Sequence, residues 1–167
     1  MIAYRDARPD DAAALSAMAQ QSFIETFGPL YAPADLDLFL DQAMSPAAYA
    51  RQLADPAYRV HLATVEGQPI GFAKLGANYF DGFDPAAPCL HQLYVLSAHH
   101  GDGVGKRLMA WTLETAQVLG SELYLSVYID NTRARRFYDR LGFVKVGDYI
   151  FRVGNHEDHD IIMRLTL

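Results

Sequence analysis

Three glycines in five positions stand between an apolar stretch and a helix-like stripe, in His100-Gly101-Asp102-Gly103-Val104-Gly105-Lys106. Residues 90–96 before them read as a strand. Val104, Leu108, Met109, Leu113 and Ala116 recur at helical spacing. Glycine lets a backbone take positive φ and approach a ligand closely. A helix start points unpaired N–H groups and the positive end of its dipole at an anion. Lys106 and Arg107 add charge at the same end. Such a loop suits a phosphate or pyrophosphate; the plain alternative is a strand-to-helix turn that holds nothing. Arg107 after Lys106 argues against a P-loop, and the glycine spacing is not that of a dinucleotide-binding fingerprint.

A second run follows the strand pattern Leu125-x-Val127, namely Asn131-x-x-Ala134-x-x-Phe137-Tyr138-x-x-x-Gly142-Phe143. Tyr138 reads either as a core tyrosine of an amphipathic helix or as a proton donor. Arg133, Arg136 and Arg140 share a helix face, as a solvated row or as an anion contact. His91 lies two residues from Cys89 and from Leu93, which by strict alternation puts all three on one strand face. It reads as a half-buried histidine or as a base. His156-Glu157-Asp158-His159 lacks a known metal-ligand spacing and reads as a solvated turn, so no metal is expected.

These residues need a scaffold. Residues 2–5 read as a strand, and Pro9, Asp10 and Asp11 suit a helix start. Residues 23–53 read as helical pieces, opened by Pro33 and by Ser45-Pro46. Residues 60–65 and 70–75 flank a hairpin turn, and 79–88 form a loop. Residues 123–129 read as a strand and 132–141 as a helix capped by Gly142. Strands 143–146, 149–153 and 160–165 close the chain. Hairpins mixed with helix crossovers imply an α/β (α+β) protein, a mixed sheet covered by helices. With 167 residues, the expectation is one domain spanning 1–167.

At 51% hydrophobic and 20% charged the chain can bury a core, which excludes a disordered protein. Its net charge of −6 argues against a nucleic-acid partner. Cys89 is the only cysteine, so no internal disulfide forms. The N-terminus has no secretory pattern, and no apolar run approaches the roughly 20 residues of a membrane helix. A cytoplasmic protein with no membrane partner is expected; monomer and homodimer are both open.

Together the glycine loop and the 131–143 run resemble the acyl-CoA-binding core of the GNAT superfamily of N-acetyltransferases. The loop is similar to that family's Gln/Arg-x-x-Gly-x-Gly/Ala pattern, with His100 at the Gln/Arg position. The second run is similar to the family signature at every key position, and the element order is also the family's. Phe23-Ile24-Glu25-Thr26-Phe27, Leu93-Tyr94-Val95-Leu96 and Asp160-Ile161-Ile162-Met163 are similar to bacterial polyamine acetyltransferases of the PaiA type.

The resemblance implies a mostly antiparallel sheet whose two central strands splay apart, with acetyl-CoA in the gap. It implies that Leu93, Tyr94 and Val95 meet the pantetheine. His100, Gly101, Asp102, Gly103, Val104, Gly105 and Lys106 would hold the pyrophosphate. Asn131 would bond near the pantetheine or the strand end, and Ala134 and Phe137 would pack by the cofactor. Tyr138 would be the general acid at the thioester sulfur, and the arginine row could meet the 3′-phosphate or adenine. Many relatives carry a glutamate base where Cys89 stands; His91 falls where arylalkylamine acetyltransferases have a histidine implicated in proton removal. The first helical region resembles the roof of the family's acceptor pocket. Glu25, Asp35, Asp37, Asp81 and Asp84, interleaved with Phe27, Tyr31, Tyr79 and Phe80, would attract an ammonium and hold an alkyl chain. The alternative is that these acids cap helices and solvate a loop.

The function expected is acetyl transfer to the primary amine of a small molecule, a polyamine or an aralkylamine. Acetylation of protein lysines or N-termini, and a non-catalytic acyl-CoA sensor, are the alternatives.

Overall fold

The computed structural model describes all 167 residues. Strands β1 (Ile2–Asp6), β2 (Arg59–Val65), β3 (Gln68–Ala77), β4 (Pro88–Val95), β5 (Glu122–Tyr128), β6 (Val144–Val153) and β7 (His156–Thr166) form one sheet in the order β1-β2-β3-β4-β5-β7-β6. Every neighbouring pair is antiparallel except β4 and β5. That parallel pair requires a crossover. Helix α4 (Val104–Leu119) supplies it. The sheet is mixed and mostly antiparallel, with helices on both faces, as expected.

Local chemistry starts and stops the helices. Pro33 opens α2 (Pro33–Ala43). The Ser45 hydroxyl accepts from the Ala48 N–H to cap α3 (Pro46–Ala54). Gly142, at φ +94°, ends α5 (Thr132–Leu141) in the left-handed region.

Each sheet face buries its own core. Leu108 and Met109 of α4 pack with Leu123, Leu125, Ile161 and Met163 on one side. Leu15, Met18 and Phe23 of α1 (Ala12–Phe27) pack with Leu40, Tyr49, Leu62 and Phe72 on the other. A smaller cluster holds Phe80, Ala87, Cys89, Tyr124 and Ile162.

Two expectations change. The strands read at 143–146 and 149–153 are one strand, β6, with an irregularity between Lys145 and Gly147. The His156–His159 segment is no solvated turn. It begins β7, and the turn falls on Gly154 and Asn155.

Candidate active site

β4 and β5 share a single rung, Cys89 opposite Tyr124. Beyond it the strands diverge, and the gap is a cavity of about 560 Å³. Leu96 N donates to Ile70 O on the β3 side. Successive strand residues turn their backbone groups to opposite sides, so those of Leu93 and Val95 face the gap. Tyr94 faces β3, opposite Phe72, and its side chain lines the cavity.

The glycine loop forms the outer end. Gly101 (φ +96°) and Gly103 (φ +80°) both occupy the left-handed region that side chains disfavour. Above Gly101, Gly103 and Gly105 there is open space where a Cβ would stand. The first turn bond of α4 runs from Arg107 N to Gly103 O, so the N–H groups of Val104, Gly105 and Lys106 precede the ladder. His100 does something the resemblance did not imply. Arg133 donates to its Nδ1, so the ring proton sits on Nε2, which donates to Val95 O at 2.9 Å. The imidazole thus ties α5 to the end of β4 across the cavity mouth. Asp102 does not line the cavity; it pairs with His99 Nδ1 at 3.2 Å.

The 131–143 run forms the opposite wall. Asn131 lines the cavity; its carboxamide oxygen accepts from Ala134 N at 3.2 Å and caps α5, which leaves its NH₂ group to donate. Ala134, Phe137, Tyr138, Arg133 and Arg140 line the cavity, while Arg136 does not. Tyr138 is only 8% exposed, and burial holds its phenol protonated far above neutrality.

His91 is the extra residue of a β-bulge. Leu75 pairs with Leu90 and Lys74 with Gln92, leaving His91 between them. The bulge overturns the alternation read from sequence. Leu93 packs with the α4-side core, whereas Cys89 belongs to the cluster on the opposite face. His91 Nε2 donates to Ala77 O at 2.8 Å, and burial pushes the ring below the usual histidine range, so it is neutral at pH 7. Cys89 is fully buried, and its thiol is pushed up to about 12, so it is no base.

Of the expected acceptor residues, Phe27, Tyr31 and Tyr79 line the cavity. Glu25 does not. Its Oε2 accepts from Ser97 N and its Oε1 from Gln21 Nε2, both at 2.9 Å, which fastens α1 to the turn after β4. Phe80 is buried beside Cys89 and Tyr124, away from the cavity. Asp35 accepts from Asn155 N, Asp84 caps Ala86 N, and neither Asp37 nor Asp81 reaches the cavity.

The acids that do line it are Asp158 and Asp160, 5% and 7% exposed. Asp158 accepts from the Tyr31 hydroxyl and, at 3.0 Å, from His156 Nε2. Asp160 accepts only a 3.2 Å bond from Ser126 Oγ, and burial pushes its carboxyl up to about 6. Sequence reasoning missed both. Extending the last strand back to His156 would have placed them on one face at i, i+2. No group of three or more His, Cys, Asp or Glu side chains is arranged to hold a metal. No helix is long and apolar enough to cross a membrane.

A sequence profile of the Acetyltransferase (GNAT) family matches residues 17–143. The chain is 35% identical over 154 residues to an uncharacterized N-acetyltransferase of Mycobacterium tuberculosis (strain ATCC 25618 / H37Rv), covering 92% of this chain and 96% of that one. It is 34% identical over 107 residues to the N-alpha-acetyltransferase RimI of the same strain, covering 64% and 65%. The crystal structure of a PaiA N-acetyltransferase from Thermoplasma acidophilum, in complex with coenzyme A, superposes with a TM-score of 0.81. Its identity is 19%, with 100% of this chain and 99% of that chain covered, which shows the shared fold. The splayed strands, the glycine loop and these likenesses converge: the chain belongs to the acetyltransferase (GNAT) family and is an N-acetyltransferase.

Proposed function

We propose that the protein transfers the acetyl group of acetyl-CoA to the primary amine of a small molecule, a polyamine or an aralkylamine, by direct attack in a ternary complex. One observation carries this reading. The glycine loop, Tyr138, His91 and the buried acids Asp158 and Asp160 all line one cavity at the splay of β4 and β5.

The donor's pyrophosphate sits on the N–H groups at residues 101–106, and its pantetheine runs along the gap-facing backbone of Leu93 and Val95. The acceptor arrives as an ammonium, drawn by Asp158 and Asp160 and held against Phe27, Tyr31 and Tyr79. His91, neutral and tied at Nε2, takes the amine's proton at Nδ1. The free amine attacks the thioester carbonyl, and the Val95 N–H stabilises the oxyanion. The tetrahedral intermediate expels the CoA thiolate, which takes its proton from the Tyr138 hydroxyl, while the amide nitrogen releases its remaining extra proton to solvent, from which the Tyr138 phenolate is reprotonated. Holding both substrates together removes the need for a covalent enzyme intermediate.

A second reading, acetylation of peptide N-termini, is favoured by the likeness to RimI. The deciding experiment follows CoA release with spermidine, phenethylamine and a short peptide, each with acetyl-CoA. The small amines are expected to be turned over in preference to the peptide. Turnover of the peptide alone would replace the first reading by the second.

A further inference from the structure

A second cavity, of about 550 Å³, adjoins the first, and Tyr79, His91, Gln92, Tyr94 and Phe151 line both. It carries the opposite charge. Lys74 on β3 lines it and is 6% exposed. In this family member, then, a buried ammonium on β3 and the acids of the first cavity on β7 stand on either side of β4 and β5.

The surroundings of Lys74 are incomplete for a charged group. Its Nζ donates to Gln52 Oε1 at 2.8 Å and lies 5.6 and 5.7 Å from the ring centroids of Tyr49 and Tyr58. All three partners are neutral, and no carboxylate lies within ion-pairing distance. A buried charge without a counter-charge is unfavourable, and burial accordingly pushes this ammonium down to about 8. The one acid on the cavity wall, Asp55, accepts from Ala57 N at 2.9 Å in its own turn. The donors outnumber it. Arg51 lines the same cavity, and Gln92 accepts from the Tyr49 hydroxyl through Oε1, which leaves its NH₂ group to donate.

We infer that the second cavity is a subsite for an anionic group on the acceptor, a carboxylate or phosphate seated on Lys74 at the end remote from the reacting amine. The inference rests on the acceptor site proposed above and narrows it. An amine with a second cation at its far end would set that charge against Lys74 and Arg51. The polyamine is therefore disfavoured, and an aralkyl or alkyl amine bearing an acid is favoured. An anion would supply the counter-charge Lys74 lacks, and the acids and the lysine would orient the acceptor from its two ends.

The test compares ω-amino carboxylates with the diamines and simple alkylamines of matching chain length. Turnover is read as CoA release, and binding is read by calorimetry on CoA-saturated enzyme. The best carboxylate is expected to exceed its diamine by about 10-fold or more in kcat/KM, the scale of a buried charged hydrogen bond. Lys74→Met should erase that advantage through KM, with CoA affinity unchanged, and Lys74→Arg should retain part of it. The wild-type ranking stands as a test even where a variant fails to fold. Diamines turned over as well as carboxylates would overturn the subsite. So would a carboxylate advantage that survives Lys74→Met. Should no amine be turned over, the acceptor reading fails; binding of the amino carboxylate that depends on Lys74 would still uphold the subsite, and absence of such binding would overturn it.

Discussion

Cys89 faces Tyr124 across the only rung joining β4 to β5, so four strands and three strands meet at one point of the sheet. A ligand lying in the gap would bridge the two parts. We expect acetyl-CoA at about 100 times its Kd to stabilise the fold by about 2.7 kcal/mol. For a chain of this size that is a rise in Tm of about 5–10 °C. Differential scanning fluorimetry across a CoA titration measures it, and a flat Tm would remove the ligand from the gap.

Tyr138→Phe keeps the ring in its buried seat and removes only the hydroxyl. We expect kcat to fall by about 10²–10⁴-fold, the range of a lost general acid. CoA affinity should stay within about twofold. Full activity in this variant would return Tyr138 to a packing role.

Gly103→Val tests the loop. The position has φ +80° and open space above it, so the new side chain is both strained and placed where a phosphate would lie. We expect CoA binding to weaken by about 100-fold or more while the circular dichroism spectrum is kept. Undiminished binding by calorimetry would exclude the loop as the anion site.

Asp160 predicts opposite effects on stability and function. Its folded carboxyl titrates near 6, above the unfolded value of about 3.9. Between those pH values the folded state holds a proton that the unfolded state has lost, so stability declines as pH rises through the window. The loss persists above it. Asp160→Asn is therefore expected to stabilise the protein at pH 7.5, by about 1–3 kcal/mol, and to lose that advantage near pH 4. Its amine KM should rise by about 10-fold or more, with CoA affinity unchanged. A variant less stable than wild type at pH 7.5, or one with unaltered amine KM, would contradict the assignment.

What the sequence revealed follows from how local each signal is. Ser45 before Pro46, Gly142 after a helical run and the glycine loop all act within a few residues, and each appears where expected. The inner wall of the cavity is not local. The Tyr31 hydroxyl finds Asp158 127 residues along the chain, and Glu25 finds the Ser97 amide 72 residues along. An acid looks the same in sequence whether it enters a cavity, fastens a loop or meets solvent, so Glu25, expected in the pocket, fastens a turn, and Asp158, expected in a solvated turn, lines the cavity. Lys74 was legible only as one cation inside an apolar strand, a pattern that does not say what surrounds it.

The bulge at His91 shifts the phase of one strand partway along its length. Strict alternation from Cys89 would send Leu93 and Val95 toward α1, and Gln92 and Tyr94 toward α4. One added residue reverses all four. Leu93 and Val95 pack beside α4, while Tyr94 joins the core of the opposite face and Gln92 meets Tyr49. Deleting His91 would set Gln92 directly after Leu90, which keeps the native register and faces of the far half of β4 and removes only the imidazole and the bend. Pairing His91 in the ladder instead would rotate the far half of β4 by half a turn, burying the Gln92 amide against α4 and exchanging the walls of both cavities, so holding this one residue out of register is part of the active-site design.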